Sequence, residues 1–121
     1  MSEPLHLPFE VREAALGDVP GVAVIGELDL ATTPLLVERL EAAIRGTRGA
    51  FAVDLCDLAF LDSTGLHALL RARALLGRED RLLVLICPPG SARRLLSLAG
   101  VADLFALYET REEAAASHSS Q

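Results

Sequence analysis

The chain has 121 residues, enough for one domain. Apolar residues make up 51% and aromatics only 4%, so an aliphatic core can form without a disulfide or metal staple. A net charge of −6, with all 11 basic residues arginine, argues against nucleic acid or an anionic membrane surface as the main partner and permits a basic protein partner.

Met1 to Pro8 reads as a loose leader. It has no basic region followed by an apolar stretch, and no run of ~18 apolar residues occurs anywhere in the chain. A cytoplasmic protein without direct membrane insertion is expected. Phe9-Glu10-Val11-Arg12 alternates apolar and polar residues, as a half-buried strand does. Turn residues follow at Gly17-Asp18-Val19-Pro20. Val22 to Ile25 is β-favouring and is expected to pair back on the first strand as a hairpin of open turn type. Thr32-Thr33-Pro34 marks a helix start, with a threonine cap and proline first. Leu36, Leu40, Ala43 and Ile44 then recur at helical spacing as far as Gly46.

Phe51 to Leu55 reads as a third, central strand. A polar loop is expected over 57–65, and a second helix from Ser63, its cap, to about Gly77. Arg81 to Ile86 is a short continuous apolar run, the pattern of a strand buried on both faces. Ser91 is expected to cap a third helix, and 104–108 to form a short last strand. Thr110 and Glu113 have capping-box spacing for a final helix over about 111–117, with 117–121 a polar tail. Strands alternating with helices predict an α/β fold: one mixed sheet, an N-terminal hairpin plus parallel strands, with helices packed on it.

In such sheets function gathers at the carboxyl ends of parallel strands. Two polar loops lie there, Glu27–Thr33 and Asp57–Gly65. If their strands are neighbours, Asp29, Asp62 and Ser63 share a surface. The competing structural reading makes Ser63 and Thr33 caps and nothing more. Ser63 at a helix start is a hydroxyl placed where a phosphate can be accommodated.

Other chemistries find little support. Gly-x-Ser-x-Gly is absent, and of His6, His67 and His118 only His67 lies near Ser63 in sequence; it reads as a surface residue. No phosphate-binding glycine loop occurs, and without lysine there is no Schiff base. Asp54, Asp57 and Asp62 lack a calcium-loop pattern, so no metal and no cofactor are expected. Cys56 and Cys87 read as reduced, buried residues, and Arg93-Arg94 as a solvated helix face.

Several pieces together carry a resemblance: Gly26-Glu27-Leu28-Asp29, then Val53-Asp54-Leu55 with Leu58 and Phe60, then Asp62-Ser63-Thr64-Gly65-Leu66, and lastly Arg94-Leu95-Leu96 with Gly100 and Leu104-Phe105. Over residues 9–116 the chain resembles the STAS-domain family, specifically the bacterial anti-sigma factor antagonists. The resemblance implies a single STAS domain over 9–116 and no enzymatic activity. It implies an unphosphorylated form that binds an anti-sigma factor, often a serine kinase of the GHKL ATPase type, and so frees sigma factor. That kinase would phosphorylate Ser63 and abolish binding, and a metal-dependent PP2C-type phosphatase would restore it. The partner-facing residues implied are Glu27, Asp29, Thr32, Asp62, Ser63, Thr64, Gly65, Leu66 and His67. Family members often carry a second glycine where this chain has His67, whose bulk would narrow partner choice. The same fold also serves as an accessory subunit of lipid-transport ATPase complexes and as a ligand-binding sensor; the hydroxyl at Ser63 with Thr64 after it, plus Asp29, favours the phospho-switch.

Overall fold

The computed structural model describes residues 8–118. The leader up to Leu7, His6 with it, and 119–121 of the tail lie outside the described residues.

The chain opens with β1 (Glu10–Glu13) and β2 (Gly21–Leu28), antiparallel from Glu10↔Ile25 to Glu13↔Val22. The hairpin predicted from alternation is present. Between the strands Leu16 and Val19 exchange backbone bonds around a two-residue turn, and Gly17 takes φ 60°, the sign such a turn asks of its first central residue. β2 runs three residues beyond the predicted Ile25 and shifts register at Gly26, where φ is 97°. A bulge of this kind needs the positive φ that glycine supplies cheaply.

Next come α1 (Thr33–Arg45), β3 (Phe51–Asp54), β4 (Leu58–Leu61) and α2 (Ser63–Gly77). The chain finishes with β5 (Leu83–Ile86), α3 (Ser91–Leu98), a 3₁₀ turn (Ala102–Leu104), β6 (Ala106–Tyr108) and α4 (Arg111–His118). The sheet order is β1-β2-β3-β5-β6, parallel except for β1, and β4 pairs parallel with β2. The predicted α/β class and mixed sheet are therefore observed.

β4 corrects the expectation of one continuous loop over 57–65. Ala59 and Phe60 are both exposed, so the segment lacks the alternation that identifies a strand in sequence. It is a strand because the second half of β2 is there to bond it. β5 begins two residues later than predicted. Arg81 instead turns back, donating to the Ile44 and Gly49 carbonyls and to Thr47 Oγ1 at 2.7–2.9 Å, and so ties down the end of α1. α4 extends one residue past its predicted end, where the Tyr108 hydroxyl and His118 Nε2 lie 2.9 Å apart.

The period of two along each strand sorts the core into two layers. Phe51, Val53, Leu83 and Leu85 face Leu36, Leu40 and Ile44 of α1, Leu66, Leu69 and Leu76 of α2, and Leu96 of α3. Ala52, Val84 and Ile86 face the other way, against Val19 and Ala114 of α4. On that side Arg111 of α4 pairs with the buried Asp54 at 2.5 Å and with Asp57 at 3.5 Å. Cys56 and Cys87 are both free thiols, half-buried and buried. Burial, then the Asp54 carboxylate, pushes the Cys56 thiol up to about 12, so thiolate chemistry has no support there.

Candidate functional site

β2 and β4 end side by side. Leu28 pairs with Leu61, and the Asp62 N–H donates to the Leu28 carbonyl at 3.1 Å. The segments that leave the two strands therefore start from neighbouring points. This brings together the two polar segments that the sequence placed at strand ends.

After β2 the chain closes a tight turn. Asp29 Oδ1 accepts from the N–H groups of Ala31 and Thr32 at 2.9 and 3.1 Å. Thr32 Oγ1 donates to the Glu27 carbonyl at 2.8 Å and accepts from the Asp29 N–H at 2.9 Å. Thr32, not Thr33, is the cap of α1, and Pro34 is the second helical residue rather than the first. The Thr32 side chain makes no bond to the helix start because it is spent on the turn behind it.

The cap of α2 is a second correction. Asp62, in extended backbone, holds that place, and Ser63 is the first helical residue. Asp62 Oδ1 accepts from the N–H groups of Thr64 and Gly65 at 3.0 and 3.1 Å and from Thr64 Oγ1 at 2.6 Å. Both residue types cap helices well. The carboxylate adds a charge that the helix dipole favours, and charge-assisted bonds are the stronger ones. The Thr64 hydroxyl, then the Gly65 N–H, hold the Asp62 carboxyl below the usual carboxylate range. The Leu30 N–H contributes in the same direction, which joins the first turn to the second.

A depressed folded-state value means the stabilising contribution is present above the unfolded value near 4 and lost as pH falls through the folded one. Wild type is therefore expected to exceed Asp62→Ala in denaturant midpoint at pH 7. The gap should shrink below pH 4. Paired urea titrations at pH 7 and pH 3 check this, and a gap that does not change with pH would show that the carboxylate charge is immaterial to the cap.

Of the nine residues the sequence assigned to the site, Glu27, Ser63 and His67 are exposed and Asp29, Thr32, Asp62 and Thr64 are half-buried. Thr64 Oγ1 lies 3.5 Å from Thr33 Oγ1, linking the two helix starts. Gly65 and Leu66 are buried. A Cβ on Gly65 would come within 2.7 Å of Leu28 and Leu61, so this glycine lets α2 settle onto the strand ends. Leu66 packs in the core, so both residues lie beneath the surface formed by the others. The Ser63 hydroxyl makes no hydrogen bond to any described residue.

Two exposed apolar residues lie near these elements without having been assigned to the site: Leu30, which the sequence did not single out, and Phe60, which it used only for the resemblance. Leu30, 74% exposed, stands at the tip of the Asp29–Thr32 turn, and Phe60, 45% exposed, pairs in register with Glu27. Neither carries a periodic signal, since each sits in a run too short to show one. Arg93 was expected to be solvated; it is half-buried and donates to the Cys87 carbonyl at 2.8 Å, whereas Arg94 is exposed.

Asp29 and Asp62 accept only from N–H and hydroxyl groups, and no described arginine pairs with either. The site is thus an acidic patch around a free hydroxyl, with exposed Leu30 in the first turn and exposed Phe60 on the strand before α2. Among the described residues no group of His, Cys, Asp and Glu could hold a metal ion. None of the described helices is long and apolar enough to cross a membrane.

No curated protein sequence matches the chain. Solved structures do. An anti-sigma factor antagonist from Mycobacterium paratuberculosis is 29% identical, with a TM-score of 0.84 over 93% of this chain and 97% of that one. SpoIIAA, an anti-sigma factor antagonist, in its unphosphorylated form is 20% identical, with a TM-score of 0.70 over 88% and 92%. The Bacillus cell fate determinant SpoIIAA in its phosphorylated form is 21% identical, with a TM-score of 0.64 over 88% and 96%. These last two establish likeness of fold. The family model for the STAS domain matches residues 15–114. That match spans both layers of the core and the whole acidic corner: the chain belongs to the STAS domain family.

Proposed function

We propose that the protein is an anti-sigma factor antagonist, a binding protein whose acidic corner docks on an anti-sigma factor and so frees a sigma factor. In this reading the partner is a serine kinase of the GHKL type. It phosphorylates Ser63 and is thereby released, and a PP2C-type phosphatase restores the binder. The observation that carries the reading is the exposed, unbonded Ser63 hydroxyl at the start of α2, one backbone bond away from the Asp29 turn. The Mycobacterium relative, an anti-sigma factor antagonist, supports the role, and SpoIIAA is a protein of this fold that exists in phosphorylated and unphosphorylated forms.

The physics is that of blockade. A phosphate adds about −1.5 to −2 charges at pH 7. A hundredfold loss of affinity needs about 2.7 kcal/mol. Covering a poorly paired charge in an interface costs several kcal/mol. No refolding is required.

The test uses the partner recovered with unmodified wild type, purified, in a binding titration with and without ATP. Ser63→Ala is expected to bind as wild type does and to stay bound when ATP is added. Ser63→Asp is expected to bind more weakly than wild type but better than the phosphoprotein, since one carboxylate carries less charge. Equal release of wild type and Ser63→Ala by ATP would remove Ser63 from the switch.

A further inference from the structure

We propose that Asp62 sets the consequence of modifying Ser63. By already holding the donors of the helix start, it keeps a phosphate on Ser63 turned outward instead of folded back as a cap. The proposal rests on the reading of Ser63 as the modified residue and concerns what the modified state looks like.

A helix start ordinarily welcomes phosphate, because its first N–H groups have no partner within the helix. In α2 those groups are taken. The N–H groups of Thr64 and Gly65 donate to Asp62 Oδ1 at 3.0 and 3.1 Å, and that of Leu66 donates to the Asp62 carbonyl at 3.0 Å. The Thr64 hydroxyl is spent on the same carboxylate oxygen. Only the N–H of Ser63 itself remains open. The other set of donors nearby, the N–H groups of Ala31 and Thr32, is held by Asp29 Oδ1. Both local anion sites thus contain a carboxylate.

The surrounding charges do not reverse this. Glu27 is the penultimate residue of β2 and Asp29 follows its end, and the first turn of α1 carries no charged residue. His67 lies one turn along α2 on the same face but is exposed, so water and salt screen whatever charge it carries. On α3, which packs against β4, Arg93 is committed to the Cys87 carbonyl and Arg94 is exposed. A phosphate at Ser63 therefore gives up its last proton against neighbouring negative charge. Its second ionisation is displaced upward, the reverse of what a free helix start would do.

The experiment needs no kinase. Phosphoserine is placed at position 63 by encoded incorporation, and its ³¹P shift is followed from pH 4 to 9. The same chain unfolded in urea gives the reference near 6. Folded wild type is expected to titrate above that reference by about half a unit. Asp62→Asn, which keeps an amide oxygen as cap but loses the charge, should fall by about half a unit to one unit. Asp62→Ala frees the N–H groups and should titrate below the reference. Arg94→Ala should leave the curve in place. Wild type at or below the reference, or coincident curves for wild type and Asp62→Asn, would overturn the proposal. Because the phosphate is installed directly, a chain that no cellular kinase modifies would sink the functional reading and leave this result standing.

Discussion

Replacing Gly21 by alanine is expected to remove about 3 kcal/mol or more of folding stability. Gly21 opens β2 opposite Ala52 of β3. A Cβ there would lie 2.3 Å from the Ala52 carbonyl oxygen and 2.9 Å from its carbonyl carbon. Those are backbone atoms in the centre of the sheet, so no side chain can rotate away. Either the ladder between β2 and β3 opens or β2 shifts. The gain from a stiffer unfolded chain is only about 0.4–1 kcal/mol and cannot offset the clash. A loss of this size is a large part of the roughly 5–15 kcal/mol of a typical domain. It corresponds to a fall in Tm of roughly 10 °C. Gly77→Ala is the control: nothing lies within 4 Å of its added methyl, and the helix gains up to about 1 kcal/mol. Thermal melts of the three proteins decide it, and a Gly21→Ala melt that matches wild type would show that β2 and β3 do not approach so closely.

Replacing Gly65 by valine is expected to cost about 1–3 kcal/mol and to disturb the site as well. The added Cβ would meet Leu28 Cγ and Cδ2 and Leu61 Cδ1 at 2.7 Å. Leu28 is fully buried and Leu61 is 5% exposed, so neither has an empty place to move into. Valine gains little helix propensity over glycine against that crowding. Relief comes by lifting the first turn of α2 from the strand ends. That movement stretches the 3.1 Å bond between Gly65 and Asp62 and the one between Asp62 and Leu28. Amide hydrogen exchange is the readout. Thr64 and Gly65 N–H groups should lose protection in Gly65→Val more than the centre of α2 does. Uniform loss along the helix would mean simple global destabilisation.

Both predictions rest on glycines whose reason is invisible in the sequence. Each stands in an element where glycine is a poor choice, and the atoms that demand it come from elsewhere in the chain, Ala52 for Gly21, and Leu28 and Leu61 for Gly65. Periodicity identifies the elements whose spacing is local, though not which residue caps them. The hairpin, α1 and the run of α2 to Gly77 follow from spacing within ten or fifteen residues. The cap of α2 was misassigned by one position because Asp62 and Ser63 compete for the same N–H groups, and charge decides between them.

Composition and periodicity determined the fold class, the order of most elements and the presence of a hydroxyl beside carboxylates at a helix start. Those are properties of a chain segment and its own side chains. Pairing across the sheet decided the rest: that 58–61 is a strand, that β2 continues through its bulge to meet it, and that Leu30 and Phe60 are left exposed. A strand is completed by its neighbour and an exposed side chain by what fails to cover it, so neither can be read from one segment alone.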